Sequence, residues 1–465
     1  MENLFIIAYL TVLGVLAIYG FHRSQLVYLF YKTRKNHPHP QGQFDELPKV
    51  TIQLPMYNER YVAARIVESM AHINYPREKL VASKVTELRS QGIDVQHIHR
   101  NDRTGYKAGA LENGLKTAKG EFVAVFDADF VPPPDILIET IQYFTNERVG
   151  MVQTRWGHIN RDYSLLTRIQ SLMLDGHFVI EHAARCRSNR FFNFNGTAGI
   201  WRRSAIVDAG GWEHDTLTED MDLSYRAQLK GWSFIYLHDV VAPAEIPVEM
   251  NSFKSQQHRW AKGSIQVACK MLPIILRSHV PFKVKLEAFF HLTNNFAYLL
   301  MILLALLLLP NLALRTQHGW REVVLIDLPL FVGTTLSIAA FYITAHRSLY
   351  KHTGEAVLRV PILMSMGIGL SINNAKAVIE GLLGHETEFV RTAKHGIETK
   401  GESWWRKTYK ASRNLTPFIE LLFALYFVVT IYVAIVGGHY ISLPFLVLFL
   451  FGYLYVGTLS LYQRS

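Results

Sequence analysis

Five long apolar runs bracket a polar middle, and this constrains the chain more than any other feature. Leu4 to Phe21 is almost wholly apolar, and four further runs follow at about Phe289 to Leu314, Val323 to Thr344, Phe418 to Val436 and Ile441 to Leu461. Each is long enough to cross the hydrocarbon core of a bilayer, which takes about 20 helical residues. Between the first run and the rest lies a stretch with ordinary charge content, long enough for one soluble domain. The 49% hydrophobic content and mean hydropathy of +0.11 reflect this uneven distribution.

Charge at the ends of the runs sets their orientation. His22, Arg23, Lys32, Arg34 and Lys35 follow the first run and put its C-terminal end in the cytoplasm. A cleaved signal is disfavoured, because only Glu2 is charged ahead of the run and no small-residue cleavage site follows. Val357 to Leu383 carries Arg359, Asn373, Asn374, Lys376 and Glu380 and has basic residues on both flanks. A spanning segment would leave one basic flank outside, so this one reads as interfacial or re-entrant. The expected organisation is a membrane helix at 1–24, a soluble domain at 48–282 and two spans at 287–345. An interfacial helix at 357–383, a cytoplasmic segment at 384–412 and two spans at 415–462 complete it. The protein is thus expected in a lipid bilayer (plasma or inner membrane, or Golgi in a eukaryote), with its soluble domain cytoplasmic. The net charge of +10 fits positive cytoplasmic loops. No helix-turn-helix, zinc-finger or aromatic RNA-binding signature is present, which argues against a nucleic-acid partner. Cys186 and Cys269 are too few for a disulfide framework.

The soluble stretch alternates strand and helix patterns. Val50 to Leu54 reads as a strand closed by Pro55, followed by a helix from Glu59 to Ala71. Ile93 to Ile98 and Glu121 to Phe126 read as strands, and Lys107 to Thr117 as a helix. Such alternation predicts a largely parallel sheet covered on both faces, with ligands at the carboxyl ends of strands. Tyr57-Asn58-Glu59 and Asp127-Ala128-Asp129 both fall at such ends.

Asp127 and Asp129 offer two carboxylates at a strand end. Mg2+ or Mn2+ binds such hard oxygens and completes its shell with phosphate and water, which suits neutralisation of a diphosphate. A solvated strand end would look the same. Thr218-Glu219-Asp220 follows a Gly-Gly-Trp turn and opens a helical pattern. A carboxylate there could serve as general base, and Thr218 as helix cap. Gln256-Gln257-His258-Arg259-Trp260 pairs a residue type that grips phosphate with one that packs under a sugar ring, and an amphipathic helix also fits. Phe191 to Gly199 combines aromatics, amides and glycines, which fits sugar binding or a packed loop. Gly105 to Gly109 opens a helix, where backbone N–H groups and Lys107 can meet phosphate.

Taken in order, these segments resemble the family-2 glycosyltransferases of the cellulose-synthase-like type. The matching runs are Leu54 to Asn58, Gly105 to Leu111, Phe126 to Asp129, Val152 to Trp156, Phe194 to Trp201, Thr218 to Asp222 and Gln256 to Trp260. Within that family the likeness is nearest to glucomannan or β-mannan synthases and xyloglucan-backbone glucan synthases. The resemblance implies an α/β GT-A-like cytoplasmic domain (a Rossmann-like nucleotide-sugar fold) joined to an α-helical transmembrane region. It implies an inverting, processive transfer of a hexose from a nucleotide sugar, GDP-mannose or UDP-glucose, to a growing β-linked polysaccharide acceptor. Asp220, beside Glu219, would be catalytic. Tyr57, Glu59, Lys107, Asp127, Asp129, Gln256 and Arg259 would bind the donor, with Asp127 and Asp129 also holding Mg2+ or Mn2+. Phe194, Asn195, Gly196, Thr197 and Trp260 would meet the acceptor. Phe389, Arg391, Thr392 and Lys394 would belong to a gating loop that closes over the donor.

One departure stands out. Members of the family have a second strand ending in Asp-Asp, whose carboxylate holds base and ribose. Here Tyr75 to Leu80 runs directly into Val81 to Gln91, which reads as a helix, so the sheet is expected to lack an interior strand. The expected consequences are weak donor binding and a destabilised domain. Two other readings therefore remain beside the polysaccharide synthase: a glycolipid-forming glycosyltransferase and a catalytically inactive family member.

Overall fold

The computed structural model describes residues 2–76, 80–82, 94–100, 102–319, 321–385, 392–399, 401–404 and 415–463; for residues 2, 3, 80–82, 94, 95 and 321 it describes the backbone alone. At its centre is a seven-stranded sheet in the order β3-β2-β1-β4-β6-β5-β7. The strands are β1 (Val50–Gln53), β2 (Leu80–Ala82), β3 (Asp94–Val95), β4 (Phe122–Val125), β5 (Val149–His158), β6 (Gly199–Arg202) and β7 (Ser233–Ala244). β1 to β4 run parallel to one another, β6 is antiparallel to both β4 and β5, and β5 is parallel to β7. The carboxyl ends of β1, β4 and β5 consequently share one edge of the sheet.

Alternation along the strands builds two core layers. Val123, Val125 and Met151 join one cluster, and Val50, Ile52, Phe122, Ala124 and Val152 join the other. The first cluster also contains Leu26, Phe30, Phe341 and Tyr342, so the soluble domain and the bases of the apolar helices share one core. A separate cluster of Leu13, Leu304, Phe427, Phe449 and Tyr453 packs the apolar helices together.

Five helical segments are long and apolar enough to cross a membrane: Leu4–Lys32, Phe296–His318, Val324–Tyr350, Thr416–Val436 and Tyr440–Tyr462. No more than a third of the apolar window of each is buried inside the protein, which leaves most of that surface facing outward. Gly354–Gly369 and Ser371–Leu382 form a pair bent by 47°, as in a broken span or a re-entrant loop.

Several expectations change. A strand does follow Tyr75-Pro76: Leu80–Ala82 pairs with β1 through Val50↔Leu80 and Ile52↔Ala82. The predicted helix over 81–91 is thus overturned at its start, because an apolar Leu-Val-Ala run beside an existing strand gains ladder bonds. Its remainder lies outside the described residues. The missing carboxylate is a matter of sequence, and no aspartate occurs between Leu80 and Ile93. Of the strand predicted at Ile93 to Ile98, Asp94–Val95 is strand, residues 96–98 are not, and Ile93 lies outside the described residues. The first helix of the domain is Ala63–Ala71 and not Glu59–Ala71, since Asn58 at φ 54° turns the chain before it. Phe289 to Thr293 belongs to the preceding helix Phe282–Thr293, and the long apolar helix begins at Phe296.

Candidate active site

The carboxyl ends of β1, β4 and β5 open into a cleft of about 450 Å³. β4 runs through the sheet, and Asp127 and Asp129 follow it directly into this cleft. Lys107, in the first turn of the helix Tyr106–Thr117, reaches Asp127 at 2.6 Å and donates to the Gly196 carbonyl at 2.9 Å. Lys394 lies 2.7 Å from the Asp129 carboxylate and donates to the Glu245 carbonyl at 2.5 Å. Each aspartate therefore sits against a lysine ammonium. Two carboxylates that need positive charge are a fit donor set for a hard divalent cation.

Asp220 stands in the first turn of the helix Glu219–Leu229, close enough to Lys107 for the two charges to interact. Burial, and then the neighbouring Glu219 carboxylate, push its pKa up to about 7. Burial also raises Glu219 and Asp127, against the pull of Lys107. Burial opposes the Lys107 ammonium, yet the surrounding carboxylates, led by Asp127 and Glu219, outweigh it and raise its pKa. Gly196, at φ 77°, separates Asp220 from Lys107. A Cβ there would fall 3.0 Å from Asp220 Oδ2 and 3.2 Å from Lys107 Nζ. Any larger residue would push apart the groups that the cleft assembles.

Gln256, Arg259 and Trp260 line the cleft from one face of the helix Met250–Arg277, as spacings of three and four dictate. Tyr57 and Glu59 line it from beyond β1, and the Arg103 guanidinium lies 3.9 Å from the centre of the Tyr57 ring. Asn195 and Gly196 also reach it. Asn195 is fixed by His177 at 3.0 Å and His182 at 2.6 Å, both carried on the π-helical stretch Gly176–His182. Thr392 and Lys394 complete this wall, while Phe389 and Arg391 lie outside the described residues.

Two expected acceptor contacts are corrected. Phe194 is wholly buried, edge-on to Trp201, in the core under the loop. Thr197 is equally buried, and its Oγ1 accepts the Asp127 backbone N–H at 2.8 Å. Both shape the cleft from behind instead of facing a ligand. The supposed Thr218 cap is also modified: Thr218 occupies the cap position but makes no side-chain cap bond.

Sequence reasoning missed other parts of the lining. His97, His99, Arg100, Asp102 and Arg103 form the wall beyond β3, and Trp156, His158 and Leu174 the wall beyond β5. Glu245 was missed as well. Its carboxylate accepts from Arg65 at 3.2 Å and from the His395 N–H at 2.9 Å, holding the 392–399 segment to the domain. The alternation of Trp156 and His158 at the end of an apolar strand was the readable signal for part of this.

Comparison with known proteins agrees with this architecture. The family described as "Glycosyltransferase like family 2" matches residues 48–263. Glucomannan 4-beta-mannosyltransferase 2 of Arabidopsis thaliana is 33% identical over 471 residues, covering 92% of this chain and 84% of that protein. Glucomannan 4-beta-mannosyltransferase 1 of Oryza sativa subsp. japonica is 33% identical over 408 residues, covering 80% and 74%. Among solved structures, the mannosyltransferase PcManGT from Pyrobaculum calidifontis, in complex with GDP-Man and Mn2+, superposes with a TM-score of 0.50 at 22% identity. That match covers 74% of this chain and 99% of PcManGT and supports a GT-A-like fold. The chain thus belongs to the family-2 glycosyltransferases of cellulose-synthase-like type and is a hexosyltransferase, a β-glycosyltransferase by its relatives.

Proposed function

We propose that this protein is a membrane-embedded, inverting, processive β-mannosyltransferase. It transfers mannose from GDP-mannose to a growing β-linked polysaccharide, with its catalytic domain in the cytoplasm. The observation that carries the reading is the convergence of Asp220, Lys107 and Asp127 around Gly196 in one cleft. A carboxyl with a pKa near 7 is a base poised for a sugar hydroxyl at physiological pH. The names of the relatives favour GDP-mannose over UDP-glucose. The outward-facing apolar helices support a bilayer setting.

In this mechanism Asp220 takes the proton of the acceptor hydroxyl, and the freed oxygen displaces the diphosphate from the anomeric carbon in a single inverting step. Glu219 stands beside the base and helps hold its pKa high. Lys107, Gln256 and Arg259 bind the diphosphate and stabilise charge as it departs. Mg2+ or Mn2+ held by Asp127 and Asp129 would offset the diphosphate charge when bound. Lys394 then exchanges its Asp129 contact for the donor. Trp260 and Asn195 position the acceptor sugar, and Tyr57 and Glu59 meet the nucleoside end. The test is product formation in proteoliposomes given either donor with Mn2+ or Mg2+. A β-mannanase-sensitive polymer from GDP-mannose is expected. A polymer formed only from UDP-glucose would overturn the donor assignment, and a single-sugar glycolipid product would overturn processivity.

A further inference from the structure

The long apolar helix Val324–Tyr350 ends in a turn that gathers three metal-binding side chains. Lys351 closes the helix in the left-handed region, at φ 60°, and its N–H donates to the Arg347 carbonyl at 3.0 Å. The next helix, Gly354–Gly369, starts three residues later. This reversal sets His352 and Glu355 against His346, so that one ligand atom from each lies within 4.8 Å of the other two. None of the three lines the cleft. His346 is 2% exposed, Glu355 is half-buried and His352 is exposed.

The His346 ring is turned as a ligand would be. Its Nδ1 lies 3.1 Å from the His352 carbonyl, which can only accept, so Nδ1 carries the proton of the neutral ring and Nε2 presents a lone pair. That lone pair faces Glu355 Oε2 at 3.6 Å, and Nε2 is buried with no hydrogen-bond partner among the described residues. Two acceptors aimed at each other need a cation between them. A proton would draw them to about 2.7–2.9 Å. Two ligands each about 2.0–2.1 Å from a tetrahedral Zn2+ stand about 3.4 Å apart, close to the separation found. Outer partners are also in place. Glu355 Oε1 accepts from Arg161 Nη2 at 2.7 Å and pairs with Arg359, which leaves Oε2 to the site. These two guanidinium charges oppose a cation, so the geometry suits a metal that is taken up and released. Glu213, Asp215 and Asp222 make a contrast, because the Lys270 ammonium already sits 2.5 to 3.1 Å from all three. We propose that His346, His352 and Glu355 form a site for Zn2+, with water completing the shell. Two imidazoles and one carboxylate favour Zn2+ over the harder Mg2+ or Mn2+ expected at Asp127 and Asp129. The bound ion would staple the turn between the two helices and, through Glu355 and Arg161, tie it to the loop after β5. Such a site is independent of which sugar the cleft transfers.

The experiment titrates Zn2+ into the purified, metal-stripped full chain in detergent, with Mg2+ in excess to fill the cleft. It compares wild type, His352→Ala and Glu355→Gln by bound zinc, melting temperature and zinc X-ray absorption. Wild type should show two imidazoles per zinc and a melting temperature that rises with Zn2+, as ligand binding to the folded state requires. His352→Ala should weaken Zn2+ by about tenfold or more, lower the count to one imidazole and lose the rise, since a ligand matters at least as much as an outer partner. Glu355→Gln should act in the same direction. It also breaks the pairs with Arg161 and Arg359, so if that variant does not fold, His352→Ala decides, because His352 is exposed. Equal affinity and an equal rise in wild type and His352→Ala would overturn the site. A wild type indifferent to Zn2+ would overturn it too, and would mean that a proton bridges His346 and Glu355.

Discussion

The two halves of the sheet's carboxyl edge are built unequally. On the β4, β6, β5 and β7 side, strands run from four to twelve residues, and β5 and β7 stay paired from Val149↔Ser233 to His158↔Ala244. On the other side the described residues hold three positions of β2, Leu80–Ala82, and two of β3, Asp94–Val95. The groups assigned to chemistry, Asp220, Lys107, Asp127 and Asp129, stand on the deep side. The wall proposed for the nucleoside stands on the β1 to β3 side, where no aspartate occurs between Leu80 and Ile93. On the proposed reading the base and the diphosphate-binding groups share the β4 side, and only the nucleoside end of the donor falls to the other. The described lining on that side is the stacked Tyr57–Arg103 pair with His97, His99, Arg100 and Asp102.

The largest expected effect is on the deep side. Asp220→Asn should lower transfer by about 10² to 10⁴-fold while sparing donor binding, as loss of a general base does. It should also raise thermal stability at neutral pH. Burial and Glu219 lift the folded pKa of Asp220 above the ordinary carboxylate range to about 7. Its contribution to stability is therefore full at low pH and lost as pH rises to 7, and the asparagine escapes that loss. Melting curves at pH 5 and pH 8 check this: the gap between variant and wild type should be smaller at the lower pH.

Next in size is Gly196→Ala. With a positive φ and a Cβ 3.0 Å from Asp220 Oδ2, the substitution should cost transfer about tenfold or more, with the fold retained. Activity close to wild type would show that the convergence at Gly196 is incidental. Third, the pH profile of transfer should carry an acidic limb centred near pH 7, falling as Asp220 protonates. A flat profile between pH 5.5 and 8 would remove Asp220 as base. The smallest effect belongs to the β1 to β3 side. Arg103→Ala should weaken donor binding about two- to fivefold, the worth of one partly exposed cation–π contact, without changing turnover at saturation. A much larger loss would mean that this side grips the donor more firmly than one such contact allows.

Legibility followed the same divide. β4 and the aspartates after it could be read because a buried strand ending in acidic residues is a local pattern, and the apolar spans because their length is. The helix Tyr106–Thr117 matched its predicted bounds to one residue. β2 was not legible, since Leu80-Val81-Ala82 is too short to distinguish strand from helix by periodicity, and only pairing with β1 decides it. Phe194 and Thr197 looked like ligand contacts because a loop of aromatics and amides has the same composition whether it faces a cleft or a core. Lys394 against Asp129 and Asp175 against His158 are contacts between distant segments, which no local pattern encodes.

The central claim is that the groups converging at Gly196 transfer mannose in a chain with no aspartate between Leu80 and Ile93. It is tested most directly by incubating the purified chain, its mass confirmed, in proteoliposomes with labelled GDP-mannose and Mn2+ and measuring label in polymer. A β-mannanase-sensitive product with a raised KM for GDP-mannose, lost in Asp220→Asn, is the predicted result. Folded protein that yields no product from GDP-mannose or UDP-glucose at any concentration would contradict it.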